Sequence, residues 1–463
     1  MAAVSYTAEA VGNLLKKYYE KGVTKQFFDD NLFLKRIEKN SRDIKGGTAT
    51  CGLHAGRNAG VGAASNGGEY GDPGKQSVYQ TTIPLKYNYA PTRLSGPDIE
   101  NAKGDAGAFA DLLSLNQDGA MDDMKRDISR QTFADGSGIL AFAKADATTT
   151  SQTINPYLWG DPSLYLPAGK KLQVYTIGDG STSKLTADAR ATAPTVSSVT
   201  VAGGVATTIV TTSTEIGTSA VGDFIGGYGA LQLADATSIT QYEVMGLNGL
   251  VHNTDLVGST AYKYDAGDFG NTAISNFINA EIAVDTAAGY DVLVGSNTNT
   301  VQGLATASYS WWKSLVYGNT GVPRAISFSL MDRMIANLKV MRGSKLSAIY
   351  TTWQANQKLV DLIRTDRRYP DTMEIDGGLK VNSYQGIPII VSQDCPRGQM
   401  YFLDESEFVW YDKKGYFFLA DAKGNIMHKT SQQDLYEITG AVYCNLGCRS
   451  RWRQGKIIDI LEN

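Results

Sequence analysis

Residues 46–95 read GGTATCGLHAGRNAGVGAASNGGEYGDPGKQSVYQTTIPLKYNYAPTRLS. The first half, up to Gly74, is rich in glycine, alanine and serine and offers almost no large apolar side chains for a core. In the second half, β-forming residues alternate from Tyr79 to Tyr89, which is typical of one long strand. An excursion that returns through such a strand predicts a protruding β-arm over residues 45–90, with a disordered linker as the alternative. Such an arm would bury little apolar surface within a single chain, so we expect it to contact another chain.

Helices are predicted on both sides of the arm. Before it, apolar residues at helical spacing predict a helix at 8–40, within an N-terminal helical arm over residues 1–44. After it, a single apolar stripe over residues 105–134 predicts one helix, which would be about 45 Å long at 1.5 Å per residue. We assign residues 91–149 to the region that is built on this long helix.

The composition changes over residues 150–270, where threonine, serine, valine, glycine and alanine dominate. Short alternating runs at Val196–Ala202 and Val205–Thr211 predict strands, and further short strands are predicted at 221–225 and 241–245. This pattern predicts an all-β domain that is inserted between the helical regions as a small sandwich or barrel.

A mixed pattern of helices and strands resumes over residues 271–400. Amphipathic helices are predicted at 329–342 and 353–364, and a short buried strand at Ile387–Val391. Residues 401–463 are rich in β-forming residues up to the end of the chain. The sequence therefore predicts an α+β protein with several packed regions.

Charge and cysteine usage argue against several classes of protein. There are 43 Lys and Arg against 47 Asp and Glu, so strong binding to nucleic-acid phosphates is not expected. The four cysteines are too few and too scattered for a disulfide scaffold, and they fit a reducing cytoplasm. The sequence has neither a signal-peptide pattern nor a run of about 18 apolar residues, so no membrane span is predicted.

Motifs that carry catalysis or hold a cofactor are missing from the sequence. The three histidines, His54, His252 and His428, have no partner at metal-ligand spacing, and neither a GxSxG elbow nor a phosphate loop occurs. We therefore predict a protein that is not an enzyme and needs no cofactor or metal. An enzyme with a scattered triad remains the alternative, because such a triad leaves no local motif.

Four residues stand out as candidates for contacts with other molecules. Arg449, Arg451 and Arg453 would lie on one face of a predicted strand, with Trp452 on the other. They could contact a neighbouring chain or DNA, or they could form intrachain ion pairs on a solvated face. Cys51 lies in the predicted arm, where its thiol could meet another chain or stay unpaired.

The order of these parts resembles the Hong Kong 97-type fold of the major capsid proteins of tailed bacteriophages. The resemblance identifies residues 45–90 with the extended E-loop of that family and residues 105–134 with the spine helix of its peripheral domain. Residues 329–404, which end in GIPIIVSQDCPRGQMYFLD, are similar to the axial domain and the return toward the peripheral domain. Residues 150–270 depart from the basic pattern and resemble the accessory domains of some relatives.

The resemblance implies a shell subunit that forms pentamers and hexamers around double-stranded DNA and matures by expansion. A portal protein and a separate scaffolding protein are implied partners, because an E-loop near residue 45 leaves no room for a fused scaffold. Decoration proteins are a further implied partner, and contact with DNA would be weak. The subunit would assemble in the bacterial cytoplasm and end in the virion. Some relatives crosslink an E-loop lysine to a neighbour, and Lys75 and Lys86 lie in the corresponding region.

Two other interpretations stay open. An encapsulin-like nanocompartment shell protein has the same fold, although a long chain with an inserted β domain argues against it. Another β-rich virion or surface structural protein is suggested by residues 150–270, and such a protein should lack the long spine helix.

Overall fold

The computed structural model describes residues 31–56, scattered positions from 58 to 72, 74–97, 106–136, 138–143, 150–156, 159, 162–177, 185–187, 193–202, 205–211, 224–227, 231–235, 238–252, 300–305, 309–318, 323–365, 372–375, 379–420, 424–429 and 433–462. Most of the helix predicted at 8–40 lies outside these residues. Its C-terminal end is helical only at Leu32–Arg36, and the chain is extended from Ile37 onward. The prediction of helix up to residue 40 is wrong, because Glu38–Asn40 forms strand β1.

The predicted arm is a β-hairpin at its described positions. Its strands and the one that follows are β2 (Ile44–Lys45), β3 (Thr48–Gly56), β4 (Ser77–Pro84) and β5 (Lys86–Ser95). The turn between β2 and β3 uses Gly46 and Gly47, whose positive φ angles of 59° and 81° suit glycine. Strands β3 and β4, the arm hairpin, pair antiparallel from Thr48 opposite Pro84 to Gly56 opposite Ser77.

The single long strand predicted for the return of the arm breaks at Leu85. Strand β5 leaves the hairpin and pairs with residues 435–444, so the predicted end of the arm at residue 90 is wrong. Side chains still alternate in sequence, but their burial changes phase at the break. Ile83 is 2% exposed, whereas Tyr87 and Tyr89 are 48% and 53% exposed. A change of pairing partner therefore inverts the face that is buried.

The helix Ala106–Phe133 is continuous over 28 residues, which confirms the long helix predicted at 105–134, and we keep the name spine helix for it. Its apolar side chains Met124, Ile128 and Phe133 are buried in the main core. The chain then turns at Gly136, whose φ of 84° places it in the left-handed region that commonly follows a helix end.

Strands β6 to β14 follow the spine helix. They are β6 (Ile139–Ala143), β7 (Ser151–Pro156), β8 (Leu172–Ile177), β9 (Leu185–Ala187), β10 (Val196–Ala202), β11 (Val205–Thr211), β12 (Phe224–Gly227), β13 (Leu231–Asp235) and β14 (Ser238–Gln241). Seven of them form one antiparallel sheet in the order β10-β11-β7-β6-β12-β8-β9. A bridge from Lys171 to Thr195 joins the beginning of β8 to the beginning of β10. The sheet therefore closes on itself as a small barrel.

Two of the strands predicted in this region are confirmed, a third overlaps its predicted position, and a fourth is wrong. Strands β10 and β11 have the predicted bounds, and β12 overlaps the strand predicted at 221–225. The strand predicted at 241–245 is wrong, because β14 ends at Gln241.

The predicted limits of the inserted region, 150 and 270, do not match the sheet. Strand β6, which lies before residue 150, pairs with both β7 and β12. At the other end, Val244 and Leu247 are already buried in the main core. We therefore define the barrel region as residues 139–241.

The rest of the chain begins with short strands and two helices. The strands are β15 (Thr300–Val301), β16 (Leu304–Ala305), β17 (Leu315–Tyr317), β18 (Ala348–Thr351), β19 (Thr372–Ile375), β20 (Leu379–Tyr384), β21 (Ile387–Val391) and β22 (Met400–Leu403). The helices Phe328–Ala336 and Trp353–Thr365 confirm the two predicted ones, and the first continues as a π-helical turn over Asn337–Met341. Strand β21 has the predicted bounds.

The last residues are rich in strands, as predicted, and they contribute to two sheets. The strands are β23 (Phe408–Asp412), β24 (Phe417–Phe418), β25 (His428–Lys429), β26 (Leu435–Cys448) and β27 (Gly455–Ile457). One sheet is centred on β26, which pairs with β5, β23, β24 and β25, while β1 pairs with β23. The other, the axial sheet, has the order β17-β27-β22-β18-β21-β20-β19. Both helices pack against it through residues such as Met334 and Leu359.

Candidate assembly surface

The arm hairpin is attached to the rest of the chain through a small core at its root. Ala49, Ile83 and Leu85 pack against Val409 and Tyr411 of β23 and are nearly inaccessible to solvent. Farther along the hairpin the described side chains are mostly exposed or half-buried. The hairpin therefore carries little core of its own and is held where it leaves the body.

Cys51 lies on β3 within the arm hairpin and is half-buried. Burial raises the pKa of its thiol, and the nearby Arg449 guanidinium offsets part of that rise. A thiol with a raised pKa is largely protonated at neutral pH and reacts slowly. All four cysteines are free in the structure. A role for Cys51 in contacts between chains stays a prediction.

The two lysines considered for crosslinking occupy different environments. Lys75 is exposed just before β4, whereas Lys86 lies on β5 opposite Cys444. Burial lowers the pKa of Lys86 to about 8. Its amine is therefore easier to deprotonate near neutral pH than that of an exposed lysine. Crosslinking through either residue stays a prediction.

The three arginines of the candidate site do not share a strand face. Strand β26 ends at Cys448, and Arg451–Arg453 forms a turn of 3₁₀ helix, so the predicted strand is wrong at this point. Arg449 forms a 2.8 Å ion pair with Glu38, and Arg453 forms an ion pair with Glu407. Both of these arginines remain partly exposed, so contacts with another chain or with DNA stay predictions for them.

Arg451 has a structural role that removes it from the candidate contacts. Its side chain is fully buried, and its three nitrogen atoms donate to the backbone carbonyls of Leu250 (2.6 Å), Trp312 (3.0 Å) and His252 (2.9 Å). Burial lowers its pKa to about 10, so the guanidinium keeps its charge at neutral pH. Arg451 therefore fastens two segments of its own chain together.

A partly buried polar junction that the sequence did not reveal joins the spine helix to the barrel region. Asp394 accepts hydrogen bonds from Ser129 of the spine helix and from Tyr165, and its carbonyl accepts from Trp159 at 2.9 Å. Arg130 lies beside it and pairs with Glu243 at 2.6 Å. The sequence signal for this junction was Arg130, a charged residue near the buried end of the spine helix.

Aromatic side chains form an exposed group on the sheet that is centred on β26. The ring of Tyr443 lies 4.8 Å from Tyr87, 6.2 Å from Tyr89 and 4.9 Å from Phe417. About half of the side-chain surface of Tyr87 and of Tyr89 is exposed. Exposed apolar patches on soluble proteins commonly mark contact surfaces. The alternation of tyrosines in KYNY was the sequence signal for this group.

Neither a metal-binding cluster nor a membrane-spanning helix is found within the described ranges. No cluster of three or more His, Cys, Asp or Glu side chains that could bind a metal ion occurs there. Within the same part of the chain, no helix is both long enough and apolar enough to cross a membrane.

No protein-family model and no curated protein matches the chain. Among solved structures, the capsid asymmetric unit of cyanophage A-1(L) matches with a TM-score of 0.51 and 14% identity, covering 97% of this chain and 98% of that one. The capsid of a native GTA particle matches with a TM-score of 0.43 and 10% identity over 99% and 100% of the two chains. The SrpI encapsulin of Synechococcus elongatus matches with a TM-score of 0.27 and 13% identity, covering 50% of this chain and 81% of that one. Since the cyanophage match spans nearly all of both chains, this chain has the Hong Kong 97-type capsid fold, with a mixed α+β architecture.

Proposed function

We propose that this chain is the major capsid protein of a tailed bacteriophage, a structural subunit without catalytic activity. The observation that carries the proposal is the likeness of fold to the cyanophage capsid subunit, which covers 97% of this chain. The match also covers 98% of the cyanophage chain, so it is not limited to one part of either chain.

The proposed assembly consists of pentamers and hexamers of this chain around double-stranded DNA. The arm hairpin would lie on a neighbouring subunit, because its own buried side chains are confined to its root. The exposed aromatic group at Tyr87, Tyr89, Tyr443 and Phe417 offers apolar area for such contacts. Many modest contacts, repeated by symmetry, would then hold the shell together.

The proposed partners beyond the chain itself are a scaffolding protein, a portal protein and packaged DNA. With 43 basic against 47 acidic residues, the chain has no excess of positive charge for binding phosphates. DNA contact would therefore be weak, and DNA could move past the inner surface during packaging. Decoration proteins are a further candidate partner, and the barrel region would be their binding platform.

Electron microscopy of the assembled product tests the proposed function. We expect the chain, expressed with a scaffolding protein, to form closed shells of uniform diameter that contain both pentamers and hexamers. Shells that enclose a cargo enzyme and no DNA would favour the encapsulin-like alternative. If only monomers or irregular aggregates formed with and without scaffold, the proposal would be wrong.

A further inference from the structure

The root of the arm hairpin is held by a turn from a distant part of the chain. Strands β15 and β16 are joined by Gln302 and Gly303, both with positive φ angles, as in the tight turns typical of hairpins. The Gln302 carbonyl accepts a 2.8 Å hydrogen bond from the Thr82 N–H of β4. Its side-chain amide, with the nitrogen turned toward the Cys448 carbonyl, makes two 2.9 Å bonds with the backbone of Cys448. The turn therefore ties β4 to the end of β26.

Aromatic rings hold the same strand a few residues farther along. The ring of Tyr79 on β4 lies 4.9 Å from Tyr309 and 5.0 Å from Trp311, and those two rings are 5.4 Å apart. The edge-on and tilted arrangements are the favourable ones for aromatic pairs. Tyr79 therefore packs onto two rings that belong to the body of the subunit.

The segment that carries the two body rings is fixed by buried groups at the next residue, Trp312. Trp312, the neighbour of Trp311, is 1% exposed, and its indole N–H donates to the Val301 carbonyl at 3.0 Å. Arg451 donates to the Trp312 carbonyl at 3.0 Å, and its guanidinium lies 5.7 Å from the Trp312 ring. Arg451 therefore contacts Trp312, and the adjacent Trp311 in turn contacts Tyr79 of the arm hairpin. By contrast, Val78, next to Tyr79 on β4, is 69% exposed.

We propose that Gln302, Tyr309 and Trp311, the root clamp, are positioning residues that set the direction in which the arm hairpin leaves its subunit. This inference rests on the proposed function and deepens it. Strand β3 has nine residues, so the hairpin is about 30 Å long at roughly 3.3 Å per residue. A swing of about 10° at the root would move the tip by about 5 Å, which is about the spacing between two paired strands. A neighbour would then meet the arm out of register.

The first test measures hydrogen exchange in the purified, unassembled full-length chain. In Tyr79→Ala and in Trp311→Ala, the amides of β3 and β4 should exchange about 2- to 10-fold faster, because an aromatic contact of ordinary strength is lost. The double variant should exchange little faster than Tyr79→Ala, since both changes remove the same contact. Trp353→Ala, which alters a 69% exposed tryptophan outside the arm hairpin, is the matched control and should leave exchange in β3 and β4 unchanged.

The second test compares the shells that these variants form with scaffold. Tyr79→Ala should give open, irregular or mixed-size shells, although its melting temperature stays close to that of the unaltered chain. Trp353→Ala should give closed shells like those of the unaltered chain. Unchanged exchange in β3 and β4, or shells of Tyr79→Ala identical to those of the unaltered chain, would overturn the root clamp. If the unaltered chain formed no shells, the proposed function would fail and the positioning role with it, while the exchange data would still show whether the root is held.

Discussion

The arm hairpin and the barrel region are stabilised in different ways. The barrel closes on itself, and side chains such as Ile154, Val174, Ile209 and Ile225 are at most 2% exposed inside it. The arm hairpin buries side chains only near its root, against β23. A two-stranded hairpin without a core is marginal in water. We therefore expect the barrel region to keep its shape alone, and the arm hairpin to depend on the surfaces that it contacts.

The prediction with the largest effect concerns the limits of the barrel region. Replacing residues 139–241 by a short Gly-Ser bridge should leave a soluble, folded chain, because Val244 N–H lies 3.0 Å from Gln131 Oε1 and the two ends are close. Removing 150–270, the limits predicted from sequence, should give an unfolded product. That deletion takes Val244 and Leu247 out of the main core, and losing each large buried side chain costs about 2–5 kcal/mol.

Soluble yield and thermal melting of the two deletions decide this point. The bridge over 139–241 also removes Trp159 and Tyr165 from the buried junction at Asp394, so a moderate loss of stability is expected. A folded product from the 150–270 deletion, together with an insoluble one from 139–241, would show that the barrel does not end where the sheet does.

The second prediction tests the support beneath the root of the arm. Arg451→Met should lower the free energy of unfolding by about 3 kcal/mol or more, because three buried carbonyls lose their donor. Arg453→Met is the matched control, since the ion pair of Arg453 with Glu407 is partly exposed and contributes at most about 1 kcal/mol. Urea unfolding measures both. Equal effects of the two changes would contradict the buried role of Arg451.

The third prediction concerns the segment by which the chain returns from the barrel. Lys456 is buried, and its amine donates to the side-chain oxygen of Asn248 at 2.7 Å and to its carbonyl at 3.2 Å. The Tyr401 ring lies 5.8 Å away. The pKa of Lys456 is lowered to about 7, mainly by burial. The charge of Asp135 offsets part of this shift, and the charge of Arg451 adds to it.

The unfolded chain should therefore bind a proton that the folded chain has lost between about pH 7 and the ordinary lysine pKa of 10.5. Stability should rise with pH through this window, by at most about 1.4 kcal/mol per pH unit from this group. Lys456→Met should remove this pH-dependent contribution to stability. Lys429→Met, which replaces an exposed lysine, should not remove it. Urea unfolding at pH 7, 8 and 9 gives the slopes. The same slope in Lys456→Met as in the unaltered chain would rule out a neutral Lys456.

Parts of the fold that depend on local patterns were predictable from the sequence. The apolar stripe gave the spine helix, Ala106–Phe133, nearly to the residue. The short apolar run at Ile387–Val391 and the alternating runs of β10 and β11 were also correct. Each of these elements keeps one set of neighbours over its whole length, so its own periodicity describes its environment.

The features that were missed depend on which distant segments meet. The alternation from Tyr79 to Tyr89 is unbroken in sequence, yet at Leu85 the chain exchanges β3 for β26 as its partner and the buried face inverts. Arg451 looked like a surface residue because nothing local shows that carbonyls of residues 250, 252 and 312 converge on it. Of the six candidate contact residues, Arg451 alone is fully enclosed, and no local pattern distinguishes it from Arg449.

The arm itself offers the most direct test of the central claim, that the chain is a shell subunit whose arm hairpin reaches a neighbour. The stretch 56–74 contains few large apolar residues, so replacing it by a tight turn should change the free energy of unfolding by less than about 0.5 kcal/mol. Electron microscopy of the assembly reaction should then show no closed shells, because each subunit has lost its reach. Closed shells of normal diameter from the shortened chain would contradict the claim.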